Sequence, residues 1–295
     1  MSASLPAGAQ TQTIRIGSAI ADTFAEPFYA ADMGFYQKSG LTVETTGYST
    51  GATVANAVAS GTLDVGLSNI IQLGSAAEHG IPFVVVAPAA QSTPTYNPTE
   101  LCVSKSSTIR TARDFEGKTI AVQSVKDMLA ISVQAWLSQN GADLSQVKFV
   151  ELTFSEMAPA LERGTVAAAA ISEPILSAAK ATTARAVARP YGAVGARFYT
   201  GGWFTTKDWA RKNPDLVKRL TAAIYETARW ANAHHDESGA ILAKRAKLDP
   251  DIVRKMPRAP YGESMDANLF QPPLDAAYKF KVFGRRVAAA ELVTL

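Results

Sequence analysis

The chain has 295 residues, 47% of them hydrophobic and 19% charged, which suits a globular protein long enough for two lobes and excludes a disordered chain. Its formal net charge is +3, with basic residues scattered rather than clustered, so a phosphate-tracking nucleic-acid surface is not expected. The one cysteine, Cys102, excludes an intrachain disulfide and a thiolate metal cluster.

Residues 1–12 have neither a basic n-region nor an apolar h-region. They read as a disordered polar leader left after removal of a signal peptide, which suggests an exported protein. No stretch reaches the ~18 continuous apolar residues of a membrane span.

A short alternating strand opens at Ile14-Arg15-Ile16, a polar turn follows around Ala21-Asp22-Thr23, and a helix is predicted from Glu26 to Gly34. Leu41 to Thr45 is the second strand, and Ser49-Thr50-Gly51 leads into a helix that ends at Gly61. Asp64 to Ser68 is a third strand, feeding a helix to Gly80, and Ile81 to Ala87 is an all-apolar strand of the kind buried on both faces. This alternation predicts a mainly parallel sheet flanked by helices.

A loop from Ser92 to Thr99, rich in Thr, Pro and Asn, interrupts the pattern, which then restarts. Strands are predicted at Leu101–Ser104, Thr119–Gln123, Val147–Leu152 and Val166–Ser172, with helices at Asp127–Gln139 and Ser155–Arg163. Arg197 to Thr205 crosses back, and the remainder is mainly helical, with Pro214 to His234 the longest helix and Asp249-Pro250 a helix start. Gly61-Thr62 and Gly164-Thr165 stand at matching places before apolar strands, a weak repeat that suggests two similar lobes.

Ligands of open α/β sheets bind beyond the carboxyl ends of the strands, where helix N-termini present unpaired N–H groups. The candidate ligand-binding residues are therefore Thr23, Phe24, Ser49, Thr50, Gly51, Ser68, Asn69, Ser124, Val125, Lys126, Glu173 and Trp203. They are mostly hydroxyls, amides and apolar groups, a composition for hydrogen bonding a small molecule. The competing readings stand beside them: Ser, Thr and Asn at these places also cap helices, Lys126 also fits a solvated surface, and Trp203 also fits a core.

No catalytic residue is expected: there is no G-x-S-x-G elbow, P-loop or Gly-rich dinucleotide turn. Cys102 sits in the apolar string Leu101-Cys102-Val103 and reads as a buried strand residue. His79, His234 and His235 have no ligand-spaced partner, so neither a metal nor a cofactor is expected.

Several ordered segments carry a resemblance: Pro27–Tyr36, Ser60–Gly66, Asp114–Val122, Met157–Gly164 and Trp203–Trp209. With them the chain resembles the substrate-binding proteins of ABC importers for sulfonates, nitrate and taurine, a group that also holds pyrimidine-precursor binders. The likeness runs from about Thr13 to Gly284. One departure is Val166-Ala167-Ala168, where similar proteins begin the strand with an Asp, as Asp64 does in the first lobe.

The resemblance implies a two-lobed periplasmic binding protein type II fold with two crossing strands. Lobe 1 would hold 13–100 and 200–295, and lobe 2 would hold 101–199. It implies capture of a small organic anion in the interlobe cleft, closure of the lobes, and docking of a monomer on an ABC permease in the inner membrane. The alternative is an enzyme of the same fold acting on a pyrimidine precursor, or a binder of one.

Overall fold

The computed structural model describes residues 12–96 and 98–295; the leader expected at 1–12 lies, but for Gln12, outside the described residues. The first strand, β1 (Thr13–Ala19), leaves through a 3-10 turn at Asp22–Phe24 into helices α1 (Glu26–Asp32) and α2 (Phe35–Lys38). Then come β2 (Thr42–Tyr48), α3 (Gly51–Ala59), β3 (Val65–Asn69), α4 (Ile70–Glu78) and β4 (Phe83–Pro88). After the short β5 (Gln91–Ser92) the pattern restarts with β6 (Thr99–Ser104), β7 (Thr119–Val122), α5 (Met128–Gln139), β8 (Lys148–Glu151), α6 (Phe154–Arg163) and β9 (Ala168–Ser172).

Helix α7 (Ile175–Thr182) and strand β10 (Ala184–Ala188) follow, and β11 (Phe198–Tyr199) and β12 (Gly201–Thr206) lead back. The end is helical: α8 (Lys207–Lys212), α9 (Pro214–Ala233), α10 (His235–Ala246), α11 (Pro250–Lys255), α12 (Gln271–Lys279) and α13 (Ala289–Val293).

Two five-stranded sheets form, in the orders β2-β1-β3-β12-β4 and β10-β6-β9-β7-β8. Each is mainly parallel, as the alternation predicts, but each has one strand run against its neighbours on both sides. β12 lies antiparallel between β3 and β4, and β6 lies antiparallel between β9 and β10. Both are the first strand after a crossing, so they enter the new sheet from its cleft edge. The crossings pair with one another as β5 and β11, Phe198 opposite Ser92 and Tyr199 opposite Gln91. The fold is thus two α/β lobes joined by two crossing strands.

The cores are not wholly separate. One apolar cluster runs from Val54, Leu73 and Phe204 of the first lobe through Phe270 and Leu274 to Leu101, Phe115 and Ile131 of the second. Helix α12 makes the link, packing on α4 on one side and α5 on the other. A second cluster fills the opposite face of the first sheet, with Ile14, Ile16, Leu67 and Trp203 against Phe35, Leu220 and Ile224. The long helix α9 buries Leu220, Ala223, Ile224, Thr227, Ala228 and Ala231, the spacing of one helical face.

Three local expectations are corrected. The strand predicted at Ile81–Ala87 starts at Phe83, and that predicted at Val166–Ser172 starts at Ala168. The Ala-rich run after Pro174 holds a helix and a strand, α7 and β10, that hydrophobic periodicity does not reveal.

Candidate functional site

In the first lobe the exits of β1, β2 and β3 come together around Ser68. Its hydroxyl, fully buried, donates to the Gly51 carbonyl at 3.1 Å and so ties the β3 exit to the start of α3. A Cβ on Gly51 would stand 2.5 Å from Ser68 Oγ, so a side chain there fits only if that hydroxyl turns away and gives up its bond to the Gly51 carbonyl. Gly201 pairs with Asn69 across the sheet, and a Cβ there would meet the Ser68 carbonyl oxygen at 2.4 Å and the Phe24 ring at 3.1 Å. Phe24, Gly51, Ser68 and Asn69 are therefore neighbours.

Several candidates cap helices. Thr50 closes a capping box with Thr53, accepting its N–H at 3.2 Å, and Asn69 accepts from Gln72 N–H at 2.9 Å to start α4. The N–H groups of Gly51 and Ala52, in the first turn of α3, make no hydrogen bond among the described residues. The hydroxyls of Thr23 and Ser49 make no hydrogen bond to protein among the described residues, and Ser49 is exposed.

Asp22 lies one residue before Thr23 and is not open. Its buried carboxylate takes Arg258 Nε at 2.8 Å and Ala259 N–H at 2.7 Å, and its carbonyl accepts the Tyr261 hydroxyl. This ion pair, with Arg258 Nη2 also donating to the Tyr29 hydroxyl at 2.6 Å, pins the β1 exit to the loop after α11.

In the second lobe the β7 exit carries Ser124, Val125 and Lys126. Asp127 caps α5 through Ala130 N–H at 2.9 Å and also accepts from Ser124 N–H at 3.2 Å. Burial pushes its carboxyl up to about 7 despite those amides. Val125 N–H donates to Glu151 at the β8 exit, 2.9 Å away, and the Val125 side chain is 38% exposed. Lys126 is exposed, with no ion pair among the described residues.

Glu173 directly follows β9 and is buried, accepting from Ser177 Oγ at 2.9 Å and Ser177 N–H at 3.1 Å. Its carboxyl is raised, chiefly by burial and also by the charge of Asp22 in the other lobe. Its N–H donates to the Pro98 carbonyl at 2.9 Å in the crossing segment. The strand exits of the two lobes thus face one another across the crossing strands.

Trp203 is a correction. It is fully shielded in the first lobe's core, on the face of β12 turned towards α1 and α9, and its indole N–H donates to Glu26 at 3.0 Å. It offers no surface to a ligand. Sequence reasoning also missed the partners that hold the exits, Asp22 with Arg258 and Glu26 with Trp203, because 236 and 177 residues separate them. One recess of about 470 Å³ opens between Gln139 of α5 and Lys279 of α12, at the end of α5 opposite the strand exits.

Comparison with known proteins agrees with this architecture. The family model described as "NMT1/THI5 like" matches residues 22–238. The chain is 30% identical over 233 residues to the taurine-binding periplasmic protein of Escherichia coli (strain K12), covering 77% of this chain and 69% of that protein. Its fold is similar to the periplasmic aliphatic sulphonate-binding protein SsuA of Escherichia coli, with a TM-score of 0.80 at 19% identity over 96% of this chain and 97% of that one. The desulfurization enzyme DSZB shares the fold more loosely, with a TM-score of 0.71 at 14% identity over 96% of each chain. The ordered segments, the two lobes and these matches agree: the chain belongs to the NMT1/THI5-like family of sulfonate-, taurine- and nitrate-type substrate-binding proteins.

Proposed function

We propose that this chain is the extracytoplasmic solute-binding protein of an ABC importer, and that it captures a small organic anion in the cleft between its lobes. The lobes are 13–100 with 200–295, and 101–199. The observation that carries the reading is the convergence of strand exits from both lobes, furnished with hydroxyls and open N–H groups and few free charges. The N–H groups of Gly51 and Ala52, at the positive end of α3, suit one anionic group. The hydroxyls of Thr23, Ser49 and Ser124 add neutral donors, and Lys126 supplies a cation at the rim.

Apolar side chains at the same exits suit an organic body. Ile20 is 40% exposed beside the β1 exit and Val125 38% exposed at the β7 exit, with Phe24 partly exposed between them in the chain. A sulfonate, a carboxylate or an aromatic acid fits this mixture better than a bare inorganic ion. Contacts from both lobes favour the closed form, which then docks on a permease in the inner membrane. We place the protein in the periplasm, as a monomer.

Turnover forms no part of this reading. Cys102, the one thiol, is buried in β6, where burial and the Glu100 charge push it up to about 12. At neutral pH it is no nucleophile. A thermal-shift series with taurine, butanesulfonate, benzoate, nitrate and thymine tests the proposal. At ~100 times its dissociation constant an organic anion should stabilise the protein by ~2.7 kcal/mol. A series without any shift, or with a shift for thymine alone, contradicts it.

A further inference from the structure

The segment that crosses first between the lobes carries Tyr96, and its surroundings assign it a part in binding. The backbone there is tightly held: Tyr96 N–H donates to the Thr93 carbonyl at 3.2 Å and to Thr93 Oγ1 at 3.0 Å, and Thr93 N–H returns to the Tyr96 carbonyl at 3.1 Å. The ring is buried in an apolar cluster that also holds Ala25, Ala90, Ala259 and Tyr261 of the first lobe. Its hydroxyl is shut off from solvent and has no hydrogen-bond partner among the described residues. Buried hydroxyls in folded proteins nearly always have a partner, so an orphaned one calls for an explanation.

Its position supplies one. The hydroxyl lies within electrostatic reach of Asp22 and Arg258 at the β1 exit, and of Glu173 and Tyr191 in the second lobe. The geometry agrees: Tyr96 shares an apolar cluster with Tyr261, whose hydroxyl holds the Asp22 carbonyl at the β1 exit, and two residues further on the Pro98 carbonyl takes the Glu173 N–H at 2.9 Å after β9, so this segment lies between the strand exits of the two lobes. The polar groups around it are already engaged. Asp22 is held by Arg258 and Ala259, Glu173 by Ser177, and the Tyr261 hydroxyl by the Asp22 carbonyl.

We propose that the Tyr96 hydroxyl is a ligand-binding group at the floor of the cleft, donating a hydrogen bond to the anionic group of the captured solute. This rests on the solute-binding reading above. The local charge permits it, because Arg258 pairs with Asp22 at 2.8 Å and Ser177 engages the Glu173 carboxyl through two hydrogen bonds. The tyrosine then supplies direction without a second charge, and it does so from the segment about which the lobes turn.

The test is Tyr96→Phe, which keeps the ring and removes the donor. Wild type and variant are titrated with taurine, butanesulfonate and benzoate, and both are melted without solute. For whichever solute the wild type binds, the variant should bind roughly 10- to 100-fold more weakly. Its melting midpoint without solute should be unchanged or higher, since the orphaned hydroxyl is gone. Equal affinity overturns the inference and leaves the solute-binding reading standing. A fall in the midpoint without solute overturns it too, because the hydroxyl would then have a structural partner. If the wild type binds none of the three, the solute-binding reading fails and the role of Tyr96 falls with it.

Discussion

Glu26 is a carboxyl taken wholly out of water for the sake of one indole. It accepts from Trp203 Nε1 at 3.0 Å through one oxygen, while the other has no partner. Burial, opposed only by that hydrogen bond, raises its carboxyl from about 4.5 to about 8. Between those values the folded chain holds a proton that the unfolded chain releases. The stability associated with this proton is complete below about pH 4.5 and is lost as pH rises towards about 8. Glu26→Gln keeps the shape and does not titrate, so it should gain on the wild type across that window by roughly a few kcal/mol. Urea unfolding of both proteins at pH 5 and pH 8.5 measures the gap; a gap independent of pH would mean that Glu26 is ionised in the folded state. Little of this was legible in the sequence. Trp203 follows two glycines on a short strand, and nothing local says which face of the sheet it takes. Its partner on α1 is 177 residues away. Tyr96 was hidden in the same way, inside a loop whose composition announces only turns.

At the scale of elements, the β3 exit is held by two glycines that meet Ser68 from opposite directions. A Cβ on Gly51 would press on Ser68 Oγ, the tip of a side chain that can rotate at the loss of its bond to the Gly51 carbonyl. A Cβ on Gly201 would press on the Ser68 backbone oxygen at 2.4 Å, and only a shift of β12 against β3 relieves that. Gly201→Ala should therefore destabilise by about 1–3 kcal/mol or more, and Gly51→Ala by about 1 kcal/mol. Chemical denaturation of the two variants checks the order; equal losses, or a larger one at Gly51, would refute it. The elements themselves were mostly readable, because strand alternation, the Thr50 and Asp127 caps and the α9 stripe are local signals. Helix α7 and strand β10 were not. Alanine fits a buried helix face and a buried strand equally well, so the run from Ala178 to Ala188 has no contrast to read. The reversed direction of β12 and β6 also escaped, since it follows from the crossings and not from any residue pattern.

For the whole molecule, the two crossing strands and the bridging helix α12 join the lobes. β5 and β11 pair at Phe198 with Ser92 and at Tyr199 with Gln91, along a short axis between them. α12 packs on both α4 and α5, so the two lobes share one apolar cluster rather than holding two independent cores. Glu173 of the second lobe feels the charge of Asp22 of the first, so the two sets of strand exits lie close across this axis. Capture of a solute without its conversion is tested by equilibrium dialysis against taurine, butanesulfonate and benzoate, with mass spectrometry of the recovered solute. The account predicts that one of these binds saturably at one molecule per chain and is recovered chemically unchanged. Failure of all three to bind, or recovery of the solute as a product, would contradict it.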